Sequence, residues 1–390
     1  MSNAGKHVKE VRKRRGLTQQ GLAEASGVSL SIIRKLEQGE RETARLETLR
    51  KLAVALRVPT MRLSGGPNEE GPRAGTEARW KAVRAALEQP PLIPEPDDDQ
   101  PTVAGVRDAL SAAEPLFRKD EFGSLAVVLP PLLRDAEALG AEGRAIRVRL
   151  LQLAGWLMVQ TRQFDAAETA LQRALDDSAD RMEGAATVNT MCWLLLRQGK
   201  LDTALNLAVK WADETEPRIS RATAAELSTW GWMLLRVSAA AVRNSQAGQA
   251  ADALKLAQAA AILLGREHTH EYELRRTFGP TTVKLKIAEN AGVIDRPDAV
   301  LRLAELVPGP ALKTVTSNNR NRHFLDVADA YAKTGQFSEA FGKLEQIRAG
   351  SPEWLPNQRY ARDVLSKIVK GRRTLTPEMR TMADVVGLPL

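Results

Sequence analysis

The stretch LTQQGLAEASGVSLSIIRKLEQG, Leu17 to Gly39, decides how the chain reads. Two short helical patterns meet there across Ser26-Gly27-Val28. Leu22 and Ala23 form an apolar patch on the first, and Val28, Ile33 and Leu36 form one on the second. Gly27 at the corner lets the backbone reverse within three or four residues, where a side chain would clash. The spacing predicts one helix propping another, with the second turning Ser29, Leu30, Ser31, Arg34 and Lys35 outward. Thr18 is placed to cap the first helix, and Gln19 falls in its first turn.

Outward from this pair, the pattern completes a small domain over residues 1–64. Val8 and Val11 lie on the inner face of a preceding helix that ends in Arg12-Lys13-Arg14-Arg15 and stops at Gly16. Beyond Gly39, Leu46, Leu49, Leu52, Ala53 and Leu56 repeat at helical spacing until Pro59, and Met61 and Leu63 close the core. Five short helices are expected. These 64 residues hold fourteen Lys/Arg against six Asp/Glu, so the whole formal net charge of +8 sits on them and the rest of the chain balances. A basic head on a neutral body suits affinity for a phosphate backbone.

Leu17-Thr18-Gln19, Leu22-Ala23, Gly27-Val28-Ser29, Ile33, Glu37 and Gly39 resemble the pattern of the phage-repressor-like (Cro/C1, XRE) helix-turn-helix family. The resemblance covers the first domain, about a sixth of the chain. It implies that the second helix of the pair enters a DNA major groove. Gln19 would then hold a phosphate, while Leu30, Ser31 and Lys35 would face base edges. Arg34 would touch a base or the backbone, and Arg41 and Arg45 would track the backbone or reach a minor groove. For Arg34 and Lys35, non-specific phosphate contact is the alternative to base reading. Glu37 is expected to order the domain, since phosphate repels a carboxylate. Leu30 departs from the polar residue often found at its place; it could contact a thymine methyl but cannot donate to a base edge. Such proteins usually read palindromes as dimers, because one short helix contacts too few base pairs.

Residues 65–102 read as a linker. Gly65 to Gly75 is polar and rich in helix breakers. Trp80, Val83 and Leu87 then mark a short amphipathic helix that either docks on the body or pairs with its copy in a dimer. Pro90 to Pro96 cannot continue a helix, and Asp97-Asp98-Asp99 reads as solvated charge.

Residues 103–370 read as a helical repeat array, with 371–390 as a cap or tail. Each unit has a polar turn and a bulky residue, then small or apolar residues three, seven and ten places on. Phe122 leads to Leu125, Leu129 and Leu132; Phe164 to Ala167, Leu171 and Ala174; Leu201 to Ala204, Ala208 and Trp211. Gly248-Gln249-Ala250 leads to Ala253, Ala257 and Ala260, and Phe337 to Ala340, Leu344 and Ile347. A weaker copy surrounds Asp295-Arg296-Pro297. This spacing is one helix face, and small residues on it let antiparallel helices approach closely. The units resemble tetratricopeptide repeats, which implies a right-handed superhelix of helix pairs. Gly155 falls where that family prefers a small residue. An unspecialised helical solenoid is the alternative. The expected fold is thus all-α: a five-helix repressor-like DNA-binding domain, a linker and a TPR-like superhelix.

In such arrays the first helix of each pair lines a groove. The inward candidates for an effector or partner are Arg149, Gln152, Trp156 and Gln160, then Asn189, Trp193 and Arg197, and later Arg322 and Asp329. The polar run Thr316 to His323, with Asn318 and Asn319, either offers amides to an extended peptide or caps a helix through Ser317 and Asn318. Trp230 and Trp232 cannot share one helix face, so at least one should pack between repeats.

Other readings find little support. Cys192 is the lone cysteine, in an apolar run that reads as core. No apolar run reaches the roughly 18–20 residues of a spanning helix, no signal peptide opens the chain, and a reducing cytoplasm is the expected setting. There is no nucleophile elbow, phosphate loop or metal-ligand spacing; His268 and His270 would point apart on a helix. No enzyme, cofactor or metal is expected. The domain order resembles actinobacterial regulators with a repressor-like head and repeat body, and, in architecture only, the peptide-responsive quorum regulators of Gram-positive bacteria. A dimeric, DNA-binding transcription regulator controlled by a peptide or small signal is the expectation. A DNA-tethered scaffold that holds a protein partner is the alternative.

Overall fold

The computed structural model describes residues 3–15, 17–40, 44, 46–56, 58, 63, 74–88, 100–269, 276–372 and 374–389. Arg41 and Arg45, with Gly16, Pro59, Met61, the proline-rich run, Asp97 to Asp99 and His270, lie outside the described residues. The described chain is almost wholly helical. Contacts divide it into two compact units, residues 1–117 with 121–154, and residues 118–120 with 155–390.

In the first unit, the head comprises α1 (Asn3–Arg14), α2 (Gln19–Ser26), α3 (Leu30–Gln38) and α4 (Leu46–Leu56). The corner between α2 and α3 is the one the sequence predicts. The Thr18 hydroxyl accepts from the Gly21 N–H at 2.9 Å and starts α2. Gly27 ends α2 in the left-handed region, with φ 67°, where a side chain would be strained. Ser29 then caps α3, accepting from the Ile32 N–H. Val8, Val11, Leu22, Val28, Ile32, Ile33, Leu36, Leu49, Leu52, Ala53, Leu56 and Leu63 form one buried cluster. Gly5 lets α1 cross the end of α3, for a Cβ there would lie 1.9 Å from the Leu36 carbonyl oxygen. Four of the five expected helices are described in full; of the fifth, only Leu63 is.

The amphipathic helix of the linker, α5 (Ala74–Glu88), docks on the body. It packs along α7 (Phe122–Ala138) and buries Trp80, Val83, Ala86 and Leu87. Helix α4 of the head also packs on α7. At the start of α6 (Val103–Arg118), the Glu47 carboxylate accepts from the Thr102 N–H at 3.3 Å, and a Cβ on Gly105 would collide with it.

The repeats continue through α8 (Arg144–Gln160), α9 (Phe164–Asp176), α10 (Arg181–Gln198), α11 (Leu201–Thr215), α12 (Ala224–Arg243) and α13 (Ala247–Leu264). After them come α14 (Pro280–Val293), α15 (Pro297–Glu305), α16 (Ser317–Lys333), α17 (Phe337–Gly350), α18 (Arg359–Lys370) and α19 (Pro377–Val386). Six helix pairs share one turn. In each, a residue with φ between 56° and 79° (Asp120, Arg162, Gly199, Ser245, Asp295, Gly335) precedes the next helix by two places. The N–H that follows it bonds back to the carbonyl five residues earlier, as in Glu121 to Leu116, Lys200 to Leu195 and Gln336 to Tyr331. This is a Schellman closure repeated in phase.

The fourth copy needs a correction of register. Its turn is Ser245-Gln246, and Gly248-Gln249 lies inside α13. Ala250, Ala253, Ala257 and Ala260 are nevertheless all buried. In an alanine-rich helix a slide of three residues keeps the same face inward, so the periodicity holds while the start is misplaced.

Leu125, Leu129, Leu132, Ala167, Leu171, Ala174, Ala204, Ala208, Ala340, Leu344 and Ile347 are buried as the repeat spacing requires. A Cβ on Gly155 would lie 2.6 Å from the Leu171 side chain, so the helices of that pair touch there. Both Trp230 and Trp232 are buried. Cys192 is buried as well, and burial pushes its thiol up to about 12. One element went unforeseen: an antiparallel pair of two-residue strands, β1 (His268–Thr269) and β2 (Thr277–Phe278). Phe278 of this hairpin packs against Trp232 and over Gly231.

Candidate functional site

The head presents the face that the sequence assigns to DNA. On α3, Ile32, Ile33, Leu36 and Glu37 are buried, while Ser31, Arg34 and Lys35 are exposed and Leu30 is half-buried. Ser29 sits at the cap. Burying one side of a nine-residue helix in the core leaves the exposed side as a narrow rigid ridge. It carries two cations and a hydroxyl, all able to donate to phosphates or base edges.

Beneath the ridge, Glu37 is an organiser. Its Oε1 accepts from Arg12 Nε at 2.6 Å and its Oε2 from Arg12 Nη2 at 2.7 Å. The Gln19 amide donates to Oε2 at 2.8 Å. Arg12 also donates to the Leu17 carbonyl, so α1, the start of α2 and the end of α3 are held by one bidentate pair. Burial pushes the Glu37 carboxyl up, but the Arg12 and Gln19 hydrogen bonds and the Arg12 charge outweigh it and hold the group below its ordinary range. Glu37 raises Arg12 in turn. Gln19 is therefore oriented by Glu37 at the N-terminus of α2, where free N–H groups also point outward. Arg12 is a residue sequence reasoning left as one of four in a basic run; its i−25 relation to Glu37 has no local signature.

The residues expected along the repeat groove divide into several kinds. Gln152, Trp156, Gln160 and Asn189 are buried in the fold, as are Asn319 and Asp329. Arg149, Trp193, Arg197, Asn318 and Arg322 are half-buried. Much of the polar run from Thr316 bonds within the protein. Thr316, rather than Ser317, caps α16. The Ser317 hydroxyl donates to Asp120 Oδ1 at 3.1 Å, and the Asn321 amide to Ser351 Oγ at 2.8 Å. Asn318 Oδ1 accepts from Gln160 Nε2 at 2.7 Å and from Trp354 Nε1 at 2.9 Å. Asp329 accepts from Lys333 and Lys367. Of these bonds, Ser317 to Asp120 and Gln160 to Asn318 join residues 197 and 158 apart in sequence. In an open solenoid each repeat contacts its neighbours only; this array folds back on itself within its unit.

Burial shifts the titration of several groups in this region. Asp120, held by Ser317, Asn321 and Ser351, is pushed up to about 6 because burial outweighs its hydroxyl donors. Glu289 accepts from Arg243 at 2.7 Å and Lys286 at 2.9 Å, and Arg322 pairs with Asp326 at 3.3 Å. Burial pushes the His323 imidazole down to about 4. Sequence reasoning picked Arg322 from this network but missed Arg243, Lys286, Glu289 and Asp326, which lie on three helices with no common motif. Among the described residues no group of three potential metal ligands occurs, and no helix is long and apolar enough to cross a membrane.

The helix-turn-helix family profile matches residues 8–63. The "Uncharacterized HTH-type transcriptional regulator RghRB" of Bacillus subtilis (strain 168) is 44% identical over 59 residues, 15% of this chain and 42% of that protein. The chain thus spans less than half the length of that curated relative. Among solved structures, Bacillus thuringiensis PlcR in complex with the peptide PapR7 and DNA aligns with a TM-score of 0.35 at 10% identity. That alignment covers 89% of this chain and 99% of PlcR. The apo form of ComR from S. thermophilus aligns with a TM-score of 0.19 at 10% identity, over 80% of this chain and 97% of ComR. The family match ends on the last core residue of the head, Leu63, and together with the relative's identity it makes residues 8–63 a helix-turn-helix domain of the XRE type.

Proposed function

We propose that the chain is a sequence-specific DNA-binding transcription regulator in which α3 reads DNA and the repeat domain takes up a peptide or small signal. The observation that carries the DNA reading is the ridge of Ser31, Arg34 and Lys35, exposed on a helix whose other side is locked into the head core. Gln19, Ser29 and Leu30 flank it; Gln19 and Ser29 serve the backbone, and Leu30 offers an apolar contact to a thymine methyl. One such helix spans too few base pairs for specificity, so a palindromic operator and a homodimer, joined through the repeat domain, complete the reading. Domain limits of 1–64, 65–102, 103–370 and 371–390 describe this division of labour.

The test uses a DNA fragment enriched from random sequence by the full chain. Arg34→Ala with Lys35→Ala should abolish its mobility shift while helical circular dichroism is kept. The single variants separate roles. Loss of a base contact costs about 1–3 kcal/mol and relaxes specificity at one position. Loss of a phosphate contact weakens all sequences alike and lowers the salt slope by about 0.9. Undiminished sequence-specific binding by the double variant would sink the assignment.

A further inference from the structure

The inner face of α10 carries donors for which the fold supplies too few acceptors. Asn189, Trp193 and Arg197 follow one another at every fourth position and share that face. Arg197 lies with its guanidinium 5.3 Å from the Trp193 ring centre, and its Nη2 reaches only the Asn357 carbonyl, at 3.5 Å. Among the described residues no carboxylate pairs with it. The neighbouring charges are also cations: Arg162 and Arg322 both repel it, and burial together with that repulsion lowers it to about 10. Arg162 contacts the Phe164 ring and has no carboxylate partner among the described residues.

Two turns back, the Arg236 Nε–H donates to Asn189 Oδ1 at 2.5 Å, which fixes the amide so that its Nδ2 faces the other way. That Nδ2 is buried and has no acceptor among the described residues, although Asn189 is fully covered. Arg236 and Arg276 both lie over the Trp232 ring, at 5.5 and 5.8 Å. The nearby carboxylates are committed elsewhere: Glu289 to Arg243 and Lys286, Asp326 to Arg322. Arg197 and Arg162, each against an aromatic ring and without a carboxylate partner among the described residues, form the arrangement that receives an anion bidentately.

We propose that this face, centred on Arg197 and Trp193 and flanked by Arg162 and Arg322, binds a small ligand through a carboxylate or phosphate group. The inference deepens the signal-binding reading of the repeat domain and rests on it. An anion bound there offsets the repulsion that Arg162 and Arg322 exert on Arg197, which gives binding a driving force.

The experiment uses the full chain with citrate and with inorganic pyrophosphate as probes, each against sodium chloride at matched ionic strength. Calorimetry should show saturable binding of at least one probe, and thermal melts should rise with it. Preference for citrate or for pyrophosphate tells carboxylate from phosphate recognition. Arg197→Gln should weaken binding at least tenfold and abolish the anion-dependent rise in melting temperature, with Arg197→Lys intermediate. Arg162→Gln, at an exposed side chain, should weaken it severalfold and decides the matter if Arg197→Gln fails to fold. Absence of binding beyond the chloride control, or unchanged affinity in both variants, overturns the site. Operator affinity measured with and without the bound probe is a separate arm. Anion binding that leaves DNA affinity unchanged keeps the site and refutes its role as a signal.

Discussion

Deleting the carboxylate of Glu37 while leaving Arg12 in place should unfold the head and spare the repeats. The pair is nearly dry, with side-chain exposures of 10% for Arg12 and 1% for Glu37. A buried cation stranded by loss of its partner costs about 3–5 kcal/mol. A domain of this size has a total stability of roughly 3–9 kcal/mol at the usual 0.05–0.15 per residue. Glu37→Leu alone therefore removes most of what holds α1, α2 and α3 together. Replacing both charges, Arg12→Met with Glu37→Leu, keeps the volumes and should return to within about 1 kcal/mol of the parent. Gln19 loses its acceptor in both variants, but it is half-buried and water can take over its N–H. Hydrogen exchange of peptides from residues 3–38 gives the local stability, with DNA binding as second readout. Acid gives the same result by another route. Glu37 is held below its ordinary 4.5, so its contribution is full above that pH and disappears as pH falls through the folded value. As pH falls below 4.5 the head should lose protection before the repeats do. Equal protection in Glu37→Leu and the parent, or a double variant worse than Glu37→Leu, would refute the organiser role.

Asp120 offers the opposite sign. Its folded value is raised to about 6 from 3.8, so between these pH values the folded chain keeps a proton that the unfolded chain has lost. Stability should fall across that window and level off above it, by up to about 3 kcal/mol at 1.4 per tenfold. Asp120→Asn suits the left-handed backbone at φ 56° and should flatten the melting profile between pH 4 and 6; an unchanged slope would assign the titration elsewhere. Gly231→Ala sets helix propensity against packing. Alanine gains about 1 kcal/mol in a helix, yet its Cβ would lie 2.0 Å from the Phe278 ring, and overpacking costs about 1–3 kcal/mol. The variant should melt lower, with partial rescue by Phe278→Leu. A higher melting point would show that the hairpin yields freely.

The parts of the fold legible in the sequence are those written in local spacing. Gly27 between Leu22 and Val28 needs no distant partner to be understood, and neither do Trp80, Val83 and Leu87. The repeat turns were harder because four of the six left-handed positions are Asp, Arg, Ser and Asp rather than glycine. A non-glycine residue there costs about 1–2 kcal/mol locally and leaves no letter to search for. The fourth copy slid by three residues for this reason. Polar residues misled in another way. The run from Thr316 to His323 looks like a surface offered to a ligand, but Asp120, Gln160 and Ser351 absorb much of it from 30 to 201 residues away. A single sequence gives hydrophobic faces directly, whereas the partners of buried polar groups depend on how the array closes.

The contact between the head and the first repeat helices restricts how any signal could act. Two kinds of interaction join them within the first unit. One is polar and largely exposed: Glu47 on Thr102 and Arg50 opposite Asp108 at 3.7 Å. Exposed pairs of this kind contribute about 0–1 kcal/mol each and weaken further with salt. The other is the packing of α4 on α7, beside which the linker helix α5 also rests on α7 with Trp80, Val83 and Leu87 almost fully covered. Each such side chain contributes about 1.5–3 kcal/mol relative to exposure. The apolar seam of α5 therefore outweighs the polar pairs of the head severalfold, so α5 is fixed on α7 more firmly than the head is. A ligand that favours one arrangement of helices over another by more than the seam resists can redirect the head, and its differential affinity for those arrangements sets the limit of control.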